Sequence, residues 1–251
     1  MTKIALVTGA SRGLGRNTAL ALAKHGIDVA GTYRSNKAEA DSLVQEIAAL
    51  GRKAAMLQLD TGDIKSFDAF KGEFEKTLKG AFGRGDFDFL VNNAGIGIGS
   101  MIVDTKEEDF DRLMNVNLKG VYFLTQKLLP LMKDGGRIIN LSSGLARFTL
   151  ARMSAYAMTK GAIEVFTRYL AKELGPRGIT ANTVAPGAIE TDFGGGYVRD
   201  NPEANKSVAA ITALGRAGVP DDIGPMIASL LSDDNRWVNG QRIEVSGGAY
   251  L

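Results

Sequence analysis

Tyr156 and Lys160 stand four residues apart in the run Tyr156-Ala157-Met158-Thr159-Lys160, so on a helix their side chains share one face. A phenol holds its proton at neutral pH, with an ordinary pKa of about 10. A neighbouring ammonium favours the phenolate and draws that value down. The pair suits a general acid and base that gives a proton to oxygen and takes it back. Tyr-x-x-x-Lys alone is common, and most instances are surface pairs. Other polar groups recur at matching places in this chain. Ser142-Ser143 closes an apolar run, and Ser143 precedes the tyrosine by 156 − 143 = 13 residues. Its hydroxyl can donate a bond to a developing oxyanion. Asn92-Asn93-Ala94-Gly95 and Pro186-Gly187 close two further apolar runs, and Asn117 lies in a helical stretch between them. The plainer alternatives are a turn-capping Ser143, a helix-packing Asn117 and a structural Asn92.

A second constellation lies near the start. Thr8-Gly9-Ala10-Ser11-Arg12-Gly13-Leu14-Gly15 follows an apolar run and opens a helical one. Glycines let the backbone approach a pyrophosphate, and the free N–H groups of a helix N-terminus favour its charge. The spacing is G-x-x-x-G-x-G without a following Gly-Lys-Ser/Thr, which argues against an NTP-hydrolysing loop. The next strand-like run ends Thr32-Tyr33-Arg34, where an NAD site carries Asp or Glu for the ribose 2′-OH. Arg34 offers a planar cation to a 2′-phosphate instead, and Arg12 can reach the same group. The expected cofactor is NADP(H) rather than NAD(H). Taken singly, either arginine could equally be a solvated surface charge.

These groups need elements to hold them. Apolar runs predict strands at Ile4–Val7, Val29–Tyr33, Ala54–Leu59, Phe87–Val91, Arg137–Leu141, Thr180–Val184 and Arg242–Val245. Helical apolar spacing predicts helices at Leu14–Lys24, Lys37–Leu50, Ile64–Leu78, Phe110–Met132, Ala155–Leu174 and Asp221–Leu230. Alternation of strand and helix calls for a parallel sheet covered on both faces. About seven strands and right-handed crossovers favour a doubly wound α/β sheet, the Rossmann fold, over an eight-unit barrel. The candidate groups then gather at the carboxyl ends of the strands, where such sheets bind ligands. A single domain over 1–251 is expected. The segment 191–216, with Gly194-Gly195-Gly196 and Pro202, breaks the alternation and reads as a substrate lid with a short helix.

Composition narrows the chemistry. The 251 residues carry 30 basic and 28 acidic side chains, so neither a nucleic-acid-binding nor an acidic protein is indicated. There is no Cys and one His, His25. Thiolate chemistry is excluded, a His-based triad has no visible partner, and no metal is expected. No apolar run reaches the roughly 18 residues of a membrane span. Without a signal-peptide pattern, the expected setting is cytoplasmic.

Taken together, these motifs resemble the short-chain dehydrogenase/reductase family over nearly the whole chain. The likeness rests on the glycine turn, Asp60, Asn92–Gly95, Asn117, Ser143, Tyr156, Lys160, Pro186-Gly187 and the ending Val245-Ser246-Gly247-Gly248. It implies hydride exchange between a nicotinamide cofactor and a carbonyl or secondary alcohol. Asn117, Ser143, Tyr156 and Lys160 would be catalytic, with Asn117 bracing a water that links Lys160 to solvent. Cofactor contacts would come from Gly9, Ser11, Arg12, Gly13, Leu14, Gly15, Arg34, Asp60, Thr61, Asn93, Ala94, Gly95, Tyr156, Lys160, Pro186, Gly187, Ile189 and Thr191. Of these, Asp60 and Thr61 would touch adenine, Asn93 the adenosine ribose region and Ile189 the nicotinamide carboxamide.

Beside Ser143, candidate substrate walls are Leu145, Phe148, Met153, Phe193 and Tyr197, suiting an apolar or aromatic ketone. The nearest general look is the 3-oxoacyl-acyl-carrier-protein reductase type, seen in the first turn and in Arg177-Gly178-Ile179-Thr180. Two departures count against it. Gly144–Ser154 lacks the Gly/Asn/Gln-rich run of that type, and Lys133-Asp134-Gly135-Gly136 lacks its basic cluster. Arg147 and Arg152 offer positive charge for an acidic group, or are simply exposed. The rival of another class is a non-catalytic NADP-sensing binding protein. The family also implies a homotetramer. The helices Phe110–Met132 and Ala155–Leu174 carry apolar positions on more than one side (Val121, Leu124, Leu128 and Leu131; Ile163, Phe166, Tyr169 and Leu170), one side for the sheet and the other for a first interface, and the last helix with the C-terminal strand would build the second.

Overall fold

Ile4–Val7 is four consecutive apolar residues, all buried, and in the computed structural model it forms the central strand β1. The structure describes residues 2–251. The other strands are β2 (Asp28–Tyr33), β3 (Ala54–Gln58), β4 (Phe87–Asn92), β5 (Met132–Leu141), β6 (Thr180–Pro186) and β7 (Arg242–Val245). All pair in parallel in the order β3-β2-β1-β4-β5-β6-β7. The order reverses between β1 and β4, so chain leaves these neighbours in opposite directions and opens a crevice at their carboxyl ends.

Helices cover both faces. On one side lie α1 (Gly13–Lys24), α2 (Lys37–Ala49) and α9 (Gly224–Leu230), packed through Leu22, Leu43, Ile47 and Ile227. On the other lie α3 (Phe67–Thr77), α5 (Gly120–Leu128) and α6 (Ser154–Glu173), packed through Phe70, Phe74, Leu124, Leu128 and Leu170. Among the described residues no helix is long and apolar enough to cross a membrane.

The expected helix over Phe110–Met132 is corrected in detail. It starts earlier as α4 (Glu107–Met114), widens into one π-helical turn at Asn115–Lys119, and resumes as α5. Pro130 has no N–H to continue the helix, and the chain leaves it through a tight turn at Leu129–Leu131. Met132 already pairs with Phe87, so β5 begins five residues before Arg137, across a bulge. The segment 191–216 holds two helices rather than one, α7 (Tyr197–Asp200) and α8 (Pro202–Ala210). A run of three left-handed glycines, Gly194 to Gly196, leads into them.

The apolar residues of α5 and α6 divide between the inner and the outer side. Val121, Leu124 and Leu128 point inward and are buried, while Tyr122 and Phe123 stay exposed. On α6, Ile163 and Leu170 are buried, and Val165 and Tyr169 are exposed.

Buried polar side chains tie sheet to helices. Asn92 Nδ2 donates to Asn140 Oδ1 at 2.8 Å and to Thr125 Oγ1 at 3.0 Å. Asn140 Nδ2 donates to Thr167 Oγ1 at 2.9 Å, which also accepts from Thr183 Oγ1 at 2.9 Å. The ladder links β4, β5 and β6 to α5 and α6. Asn140→Ala strips partners from both Asn92 and Thr167 inside the core. It should cost about 2 kcal/mol or more, read as a lower denaturation midpoint in urea with an unchanged slope.

Candidate active site

The turn between β1 and α1 is built by contact. A Cβ on Gly15 would lie 2.2 Å from the Gly9 carbonyl oxygen and 2.5 Å from Asn93 Nδ2, so only glycine lets the helix start this close to the strand ends. Asn93 Nδ2 donates to Thr8 O at 2.9 Å and Gly9 O at 3.2 Å. Thr8 Oγ1 accepts from the backbone N–H of Asn93 and of Ala94, each at 3.0 Å. The ends of β1 and β4 are thereby locked together, and the Asn93 amide is spent on the turn.

A cavity of about 1010 Å³ opens over these ends. Arg12 and Arg34 are exposed at its β1–β2 side. Neither pairs with a carboxylate among the described residues. Asn36 and Glu39 of the same corner line it too. Glu39 Oε2 is buried without a hydrogen-bond partner among the described residues. Sequence reading missed this carboxylate, although Asn36 three residues earlier has the spacing of a helix cap and accepts from the Glu39 N–H at 3.2 Å. Asp60 accepts from the Gly62 N–H at 2.8 Å and turns the chain after β3.

Across the cavity stand the residues of β5 and α6. Tyr156 and Lys160 are buried on one face of α6. Lys160 Nζ donates to Leu141 O, at the end of β5, at 2.8 Å and lies 5.6 Å from the centre of the Tyr156 ring. Burial pushes Tyr156 up to about 12, and a hydrogen bond from Ser143 holds it back in part. Burial pulls Lys160 down to about 8. Desolvation thus moves the phenol in the direction opposite to the lowering expected from the ammonium. Ser143 Oγ also accepts from the Leu145 N–H at 3.2 Å, so the capping role and the Tyr156 contact coexist.

Asn117 is buried beneath the cavity floor, in the π turn. Its Oδ1 accepts from the Ile96 N–H and its Nδ2 donates to Ile96 O, both at 2.9 Å. Asn117 Oδ1 and Lys160 Nζ both face the space above Gly95, at 3.2 Å and 3.6 Å from where a Cβ there would stand.

The structure brings the remaining candidates to the same cavity. Ser11, Gly13, Leu14, Thr61, Ala94, Gly95, Pro186, Gly187, Ile189 and Thr191 line it, as do Leu145, Phe148, Met153, Phe193 and Tyr197. Gly15 and Asn117 lie behind its wall. Phe193 packs against Tyr156 with ring centres 5.8 Å apart. Arg147 and Arg152 are not in the lining: Arg147 pairs with Glu244 at 3.2 Å, and Arg152 donates to Gly99 O at 3.5 Å. A charged network beneath Ser143 was missed. Glu164 Oε1 accepts from Ser142 Oγ and Arg242 Nε, each at 2.7 Å, and Arg242 reaches Ser143 O at 3.3 Å and Glu244 at 2.9 Å. Its members are spread over β5, α6 and β7, so no local motif marks them.

Comparison with known proteins gives the same direction. The family model described as Enoyl-(Acyl carrier protein) reductase matches residues 9–250. A 3-oxoacyl-[acyl-carrier-protein] reductase of Staphylococcus aureus is 38% identical over 253 residues, covering 100% of this chain and 99% of that protein. The promiscuous reductase LugOII, described as catalysing keto-reduction at C1 in lugdunomycin biosynthesis, superposes with a TM-score of 0.94 at 41% identity, covering 99% and 98% of the two chains. The angucycline C-6 ketoreductase LanV with bound NADP gives a TM-score of 0.94 at 37% identity, covering 99% and 95%. The same enzyme has been solved with NADP and rabelomycin, and that form gives 0.90 at 37% identity, covering 99% and 96%.

The ammonium buried between α6 and β5 should titrate far below a free lysine. NMR of lysine labelled at Cε should show one resonance titrating near pH 8, absent in Lys160→Met. A Lys160 signal that keeps the free-lysine value would show that the site is wetter than its burial indicates.

Proposed function

The chain belongs to the short-chain dehydrogenase/reductase family, and we propose that it is an NADP(H)-dependent ketoreductase interconverting a carbonyl and a secondary alcohol. The observation that carries this reading is the gathering of Ser143, Tyr156 and Lys160 on the wall of one cavity, with the Lys160 ammonium 5.6 Å from the centre of the phenol ring.

The residues fit the cofactor. The α1 N-terminus and its close-packed glycine turn suit a pyrophosphate. The unpaired Arg12 and Arg34 suit a 2′-phosphate, and no acid ends β2. When bound, the nicotinamide supplies hydride to the carbonyl carbon. This chain's own part is the oxygen end. Tyr156, fully protonated at neutral pH with a value of about 12, donates its proton to the developing alkoxide. Ser143 orients the carbonyl oxygen by a hydrogen bond to it. Lys160 places positive charge beneath the phenol and helps it ionise in the reverse direction. The water expected between Asn117 and Lys160 would refill the proton from solvent, and the shared space above Gly95 supports that path.

The 3-oxoacyl thioester reading is favoured by the Staphylococcus aureus relative, which matches the chain from end to end. Against it stands the pairing of Arg147 and the outward course of Arg152. Parallel assays with acetoacetyl-CoA and an unactivated ketone separate the two. A non-catalytic NADP sensor is tested by the same assays, since it would consume no NADPH.

For assembly we favour the homotetramer. The apolar residues left open on α5 and α6 are Tyr122, Phe123, Val165 and Tyr169, the last 63% exposed. Near the C-terminal strand Trp237 is 95% and Leu251 94% exposed. Two separate patches of this kind suit two two-fold interfaces.

Tyr156→Phe keeps the ring and removes the proton. Turnover should fall at least ~100-fold, with NADPH affinity nearly unchanged by fluorescence titration. Full activity in that variant would refute the proton role. Arg34→Asp should weaken NADPH binding by about 10-fold or more, and equal or tighter NADH binding by the unmodified protein would overturn the cofactor choice. Light scattering should give about four times the 26.7 kDa chain mass; a single-chain mass would reject both interfaces.

A further inference from the structure

The C-terminal tail after β7 folds back over the lid. Leu214 N donates to Gly247 O at 3.1 Å, Ala213 N to Gly248 O at 3.2 Å, and Tyr250 N to Ile211 O at 3.0 Å. The end of α8 is thus tied to the tail through main-chain bonds. This pairing brings Tyr250, at φ 57°, to the rim of the cavity. Its ring meets Phe148 with centres 4.5 Å apart. Phe148 in turn packs down on Gly144, where a Cβ would lie 2.4 Å from its Cζ, one residue from Ser143. Phe193 stands against Tyr156 and against Gly97, where a Cβ would lie 2.7 Å from its ring.

The substrate end therefore has aromatic walls from two directions. Met153, Val208 and Ile211 fill in between. The nearby cations are turned elsewhere, Arg147 to Glu244 and Arg152 to Gly99. Asp192, Asn201, Glu203, Ser207 and Thr212 also line the cavity, and the aromatic rings beside them discriminate by shape and ring stacking. Arg147 and Arg152 therefore give no counter-charge to a phosphopantetheine arm or a carboxylate.

We propose that Tyr250, with Phe148, is a specificity-determining wall that selects flat, fused-ring aromatic ketones. The proposal deepens the ketoreductase reading and rests on it for the reaction, though not for the binding. Aromatic rings on the cavity wall gain from stacking on a flat ligand, and a flexible acyl chain does not share that gain. The lid anchor is main-chain, so the Tyr250 side chain can be changed while the staple stays.

The test uses the full chain with NADPH, 9-fluorenone as the flat ketone and ethyl acetoacetate as the small flexible one. In the unmodified protein kcat/KM should favour 9-fluorenone by about 10-fold or more. Tyr250→Ala should cut that ratio about 3- to 10-fold, and Tyr250→Phe should keep it. Calorimetry of 9-fluorenone binding must follow the same order, with circular dichroism melts confirming that the variants fold. Tyr250-dependent binding without turnover of any ketone supports the wall and sinks the ketoreductase reading. Reduction of ethyl acetoacetate with no binding or reduction of 9-fluorenone does the reverse. An unchanged ratio in Tyr250→Ala overturns the wall, as does a protein that prefers the small ketone.

Discussion

A buried ammonium needs an acceptor, and Lys160 finds it at the last residue of β5. The bond to Leu141 O at 2.8 Å is the constraint around which the site is arranged. A charge taken out of water costs several kcal/mol unless geometry returns it, so α6 cannot slide along the sheet without losing that acceptor. Tyr156 is one turn back on the same helix, and Ser143 is two residues on from Leu141. Fixing Lys160 against Leu141 therefore fixes the phenol against the hydroxyl. The low value of Lys160 and the high value of Tyr156 have one origin, desolvation. Burial keeps the phenol protonated at rest and disfavours the phenolate, so the positive charge of Lys160 is what helps the oxygen release its proton.

Two polar systems keep that register. The ladder of Asn92, Asn140, Thr167 and Thr183 pins α5 and α6 to the middle of the sheet. The network of Glu164, Arg242, Glu244 and Ser142 pins α6 to the ends of β5 and β7. In the second system two carboxylates face the Arg242 and Arg147 guanidinium groups, so the part-buried charge is balanced. Removing one partner would leave its mate half-buried and unpaired, a larger loss than the net worth of the pair. Both systems meet at α6, the element that carries the tyrosine and the lysine.

What was legible in the sequence is what local spacing encodes. Four residues of helix place Tyr156 over Lys160, and an apolar run closed by Gly or Ser marks a strand end. The strand order and the convergence of those ends follow from chirality and alternation. The π turn at Asn115–Lys119 was not legible. It goes with the two bonds of Asn117 to Ile96, a partner 21 residues away. Of the apolar positions on this helix, Val121, Leu124 and Leu128 are buried, and the open apolar side is carried by Tyr122 and Phe123. Glu39 and the Arg242 network were missed for a similar reason, since their partners are set by tertiary packing.

The two ends of the cavity are built from different kinds of contact, and this separates their freedom to vary. At the β1–β2 end the backbone itself is the binding surface. A methyl group at Gly15 collides with main chain, so the glycine turn admits almost no change. At the β5–β7 end the frame is also main-chain: the Thr212–Ala249 bridge and the bonds from the tail to 211–214. The cavity wall, however, is side chain, supplied by Phe148, Met153, Phe193 and Tyr250 from three separate segments. Such residues can be exchanged one at a time at a cost set by packing rather than by the fold. The same frame can then hold one reaction constant at Ser143, Tyr156 and Lys160 while the wall sets which ketone reaches it. That division also explains why the catalytic spacing reads directly from sequence, whereas the substrate wall emerges only when the lid and the tail are folded together.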